Sequence, residues 1–156
     1  MTKPKKIIAL LALFMFFSSC GYTPIFSKKD VNFSIEKIEF SGNKDVKENI
    51  NQALSSYKNK PGKTKQISLV ITNSKNITIA SKNSKGEAQT NKISVDVNAK
   101  IILAENDFVE KNFSKSSVYN IIDRKSKQKL IENKLIENLS SDIAQKIIFE
   151  ILNVTK

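Results

Sequence analysis

The sequence predicts a two-layer α+β sandwich: a four-stranded antiparallel sheet with two helices on one face, in the order β-α-β-β-β-α. Two observations carry that prediction. Ile93, Val95, Val97, Ala99, Ile101 and Leu103 alternate without a slip, the period of a strand with one buried and one wet face. Two other segments, one short and one long, repeat their apolar residues at helical spacing, as helices lying along a sheet do.

Taken in order, Val31, Phe33 and Ile35 alternate, then Ile38 and Phe40 continue on the opposite parity, which predicts a bulge near Glu36. Ser41-Gly42-Asn43 is a turn, with Asn43 placed to cap a helix. Val46, Ile50, Ala53, Leu54 and Tyr57 form one stripe on that helix, and Lys60-Pro61-Gly62 stops it. Ile67, Leu69, Ile71, Ile77 and Ile79 share one parity in a second strand, and Ser81 to Gln89 reads as a polar loop. After the third strand, Asn106-Asp107 reads as a tight turn. The fourth strand then sets Val109, Phe113 and Tyr119 on one face, with Tyr119 read as a packing residue at the sheet edge. A last helix, from about Asp123 to Leu152, carries Ile131, Leu135, Leu139, Ile143, Ile147 and Ile151 in steps of four, flanked by Ile136, Ala144, Ile148 and Leu152.

The head of the chain is of another kind. Lys3, Lys5 and Lys6 precede an apolar run from Ile7 to Phe17, and Ser18-Ser19 then lead to Cys20. A cationic start, an apolar middle and small residues before a cut make a secretory signal over 1–19. The run is too short to span a bilayer, which takes about 20 apolar residues. Cys20 is the only cysteine in the chain, so no internal disulfide can form. A lone thiol at that position reads as a lipobox cysteine, carrying diacylglycerol on its sulfur and an acyl group on the new N-terminus. Residues 20–30, with Pro24, read as the lipidated tether, and 31–156 as the domain.

Composition narrows the function. Setting the three signal lysines aside leaves 23 basic residues against 15 acidic, a surplus that favours anionic partners. A secreted chain makes nucleic acid an improbable one. There is no histidine, so Ser-His, Cys-His and the common zinc sets cannot be built. Gly21, Gly42, Gly62 and Gly86 form no phosphate-cradling loop. The carboxylate pairs Glu36/Glu39 and Asp107/Glu110 fit strand and turn surfaces as well as acid-base work. Binding or scaffolding without enzymatic activity, and with no cofactor beyond the lipid at Cys20, is the expectation.

Three stretches resemble the lipopolysaccharide-assembly lipoprotein LptE family in its alphaproteobacterial form. They are Cys20-Gly21-Tyr22-Thr23-Pro24-Ile25-Phe26, Ser117-Val118-Tyr119-Asn120, and the final helix with Leu139, Asp142-Ile143-Ala144 and Ile147 to Leu152. The resemblance implies an outer-membrane lipoprotein on the periplasmic side that plugs the LptD-type export barrel, helps it assemble and helps deliver lipopolysaccharide to the outer leaflet. In that setting the polar loop points into the lumen, and Lys82, Lys85 and Lys92 are the expected glycolipid contacts. The alternatives are a generic envelope brace and a periplasmic lipid carrier, which would need a large internal cavity.

Overall fold

The computed structural model describes residues 31–104 and 107–156. The signal at 1–19, Cys20, the tether and Asn106 of the expected turn lie outside the described residues. Strand β1 (Phe33–Gly42) leads into helix α1 (Lys44–Leu54) and a 3-10 turn at Ser55–Tyr57. Strands β2 (Lys65–Lys82), β3 (Ala88–Ala104) and β4 (Asp107–Asn120) follow, then helix α2 (Lys125–Val154). The sheet order is β1-β2-β3-β4, with both helices on one face.

One part of the expectation is corrected. The sheet is mixed, because β1 pairs with β2 in parallel, while β2–β3 and β3–β4 are antiparallel. The reason is the helix between β1 and β2: a strand that returns through a crossover comes back in the same direction. The bulge falls where the parity change put it, between Ile35 and Lys37. Asn43 caps α1, its side-chain oxygen accepting from the backbone N–H of Asp45 and Val46 at 3.1 and 3.3 Å. Gly42 adopts φ +110°, and a Cβ there would meet the Asn73 carbonyl oxygen at 1.9 Å. Only glycine fits.

The helix-facing side of the sheet supplies Ile35, Ile67, Leu69 and Ile71 together with Ile93, Val95, Ala99 and Ile101, all fully or almost fully buried. Val46, Ile50 and Leu54 close over them from α1, and Ile136, Ile143, Ile147 and Ile151 from α2. The stripe on α2 does not follow the steps of four all the way. Four residues turn a helix by about 400°, so such a stripe drifts about 40° per step around the axis. Ile131 accordingly slides out to 36% exposure, and Ile136, Ala144 and Ile148 take inner positions beside Leu139 and Ile143.

Both sheet edges are blunted. Along β1, Lys58 bridges to Ile35, Asn59 N–H donates to the Ile35 carbonyl, and Lys60 N–H donates to Ser34 Oγ. On β4, Lys111 and Lys115 reach back to Glu150 and Asp142 of α2. Inward-turned charges of this kind discourage a further strand from pairing.

Candidate functional site

The face of the sheet away from the helices is bare, and its residues follow from register. Ser41, Thr72, Asn98 and Asn112 stand in one row across all four strands. Ser41 and Thr72 share a hydroxyl hydrogen bond of 2.9 Å, and Asn98 donates to Asn112 and Glu110 at 2.9 and 2.8 Å. Ser74, Asp96 and Ser114 form the next row, and Asn76, Ser94 and Ser116 the one after. A shallow cleft of about 390 Å³ lies over the first two rows. Hydroxyls and amides at this density hydrogen-bond to any polar wall and offer little purchase to an apolar one.

That face runs into the end of the β2–β3 hairpin. The expected loop from Ser81 to Gln89 is shorter in the structure, because Ser81, Lys82, Ala88 and Gln89 belong to strands. The turn itself is pinned by Asn83, whose side-chain oxygen accepts from the N–H of Lys85 and of Glu87, while its backbone pairs with Glu87 and Gly86. Lys82 pairs with Ala88, Lys85 sits in the turn, and Lys92 lies on the bare face between Thr78 and Val118. The structure therefore brings all three lysines to one end of the sheet, exposed.

It also brings company that the sequence reading missed. Ile121 N–H donates to the Gln89 carbonyl, and Tyr119 Oη donates to Glu132 at 2.7 Å, so the start of α2 is held at this same end. That start carries Arg124, Lys125, Lys127 and Lys129, with no acidic residue in the first turn and no side-chain cap. Cations there oppose the helix dipole, which prefers acidic groups at an N-terminus. The run of basic residues was visible in the sequence, but the β4 pairing that sets it beside the hairpin was not.

Tyr119 is buried at the join, as expected of a packing residue. Burial first, and the hydrogen bond to Glu132 second, push its phenol above the usual value. The carboxylates considered for acid-base work serve the sheet surface: Glu39 pairs with Lys37 at 2.7 Å and Glu110 accepts from Asn98. Among the described residues there is no group of side chains able to hold a metal ion, and no helix is long and apolar enough to cross a membrane.

A mixed four-stranded sheet with two helices on one side is the fold of several bacterial lipoproteins. The rare lipoprotein B of Shewanella oneidensis superposes with a TM-score of 0.57 at 12% identity, over 78% of this chain and 100% of that one. Lipoprotein B of Nitrosomonas europaea gives 0.57 at 15%, over 83% and 90%. A minor lipoprotein of Acinetobacter baumannii gives 0.58 at 12%, over 78% and 92%. At these identities the likeness is one of fold. No family model and no curated protein matches the sequence.

Proposed function

We propose that this chain is the domain of an outer-membrane lipoprotein, anchored through Cys20, that seats in the lumen of the lipopolysaccharide-export β-barrel. There it helps the barrel assemble and helps pass lipopolysaccharide to the outer leaflet. The observation that carries this reading is the bare polar sheet face leading to a basic hairpin end. The lumen of a membrane barrel is polar, and rows of Ser, Thr and Asn are the surface that can lie against it without leaving donors unpaired. The ammonium groups of Lys82, Lys85 and Lys92 meet glycolipid phosphates as point charges. A fold shared with bacterial lipoproteins supports the envelope setting. The carrier alternative is disfavoured, since the buried apolar side chains between sheet and helices pack as one cluster.

The test is a pull-down on the acylated chain combined with intact-mass measurement. The expected result is an acyl modification at Cys20 and co-purification of an integral outer-membrane barrel. An unacylated, soluble protein with no barrel would end the proposal. Lys82→Glu with Lys85→Glu is expected to weaken glycolipid binding at moderate salt while leaving the melting temperature unchanged. Unchanged binding would remove these lysines from the site.

A further inference from the structure

The described residues include eight large apolar side chains that are exposed, and six of them gather at the hairpin end: Ile77, Ile79, Val118, Ile121, Leu130 and Ile131. They do not line one pocket. Ile77 and Ile79 lie on the helix side of β2, Val118 on the bare face and Ile121 in the turn after β4, while Leu130 and Ile131 lie on α2. Ile79, Val118 and Leu130 are 55%, 57% and 69% exposed. The same end, residues 77–93 and 118–132, holds seven basic residues against three acidic ones, Glu87, Asp123 and Glu132. None of the seven forms an ion pair among the described residues. Glu87 is already engaged by Asn83.

We infer that this end of the domain is a lipid-surface element, which enters the headgroup layer of a membrane containing anionic lipids. Apolar side chains on every side of one end, interleaved with unpaired cations, suit a medium that is apolar below and anionic above. A discrete soluble ligand would need a concave site instead. The charge balance selects an anionic layer over a neutral one. The inference stands apart from the barrel reading, because it concerns only which surface the end itself prefers.

The buried core of the described residues runs from Phe33 to Ile151, and the chain from residue 20 onward retains all of it. That chain, carrying Cys20→Ser so that no acyl group contributes, is floated with vesicles of phosphatidylglycerol and phosphatidylcholine, and with phosphatidylcholine alone. Flotation with the anionic vesicles is expected to exceed that with neutral ones by at least about tenfold, and to fall as salt rises. Lys85→Glu with Lys127→Glu is expected to lower it by about tenfold or more. Ile79→Ser with Leu130→Ser is expected to lower it severalfold even at low salt. Phe149→Ser, an exposed apolar residue outside this group, is the control and leaves it unchanged. Equal flotation with both vesicle types, hairpin-end variants that float like the parent, or an equal loss in the control would overturn the inference. Co-purification of the barrel is read separately, so either idea can fail alone.

Discussion

Strand β2 carries isoleucine and leucine on one face at both ends, with Asn73 and Lys75 between, and the two groups meet different fates. Ile67, Leu69 and Ile71 are buried to within 1%, while Ile77 and Ile79, on the same face of the same strand, are exposed. The difference lies in what stands above them. Helix α1 begins at Lys44, and Asp45 in its first turn already pairs with Lys75, so the cover from α1 stops there. Alternation specifies a face, and only a second layer turns that face into a core. Where the layer ends, an apolar pattern becomes a surface with its own chemistry.

The sharpest way to break this contrast is to truncate one isoleucine in each region. Ile147→Ala on the inner face of α2 is expected to cost about 2–5 kcal/mol of unfolding free energy, measured by denaturant titration. Gly42→Ala comes next, at about 3 kcal/mol, from positive φ and the clash with the Asn73 carbonyl. Tyr119→Phe, at the boundary between the regions, is expected to cost about 1 kcal/mol near neutral pH through loss of the bond to Glu132. Its pH dependence has a definite sign. Folding raises the phenol's pKa, so the stability it supplies is full below 10.0 and is lost as pH rises through the folded value. The gap in melting temperature between parent and Tyr119→Phe should therefore close on the alkaline side. Ile79→Ser, at the open end, is expected to change stability by less than about 0.5 kcal/mol. A loss as large as that of Ile147→Ala would mean that the end belongs to the core after all.

Much of the fold was legible because its signals are local. The bulge at Glu36, the Asn43 cap and the strand-helix order each rest on a few neighbouring residues whose geometry leaves one choice. The direction of β1 was harder, since its alternation is the same in either orientation, and the cue was the helix that follows. The length of the hairpin was hidden because Ser81, Lys82 and Gln89 are wet on both sides, so no apolar period marks them as strand. The candidate site was half legible. Lys82, Lys85 and Lys92 are close in sequence, whereas Arg124 to Lys129 join them only through pairing across β3 and β4.

The parallel pairing of β1 has a mechanical consequence. The chain comes into the sheet at Phe33 and runs along β2 for nine registered partners before turning into α1. Tension applied through residue 31, with the far hairpin held, pulls β1 lengthwise, so those partners share the strain at once and cannot peel apart one by one. A domain moored at one extremity and gripped at the other would thus be drawn along its stiffest direction.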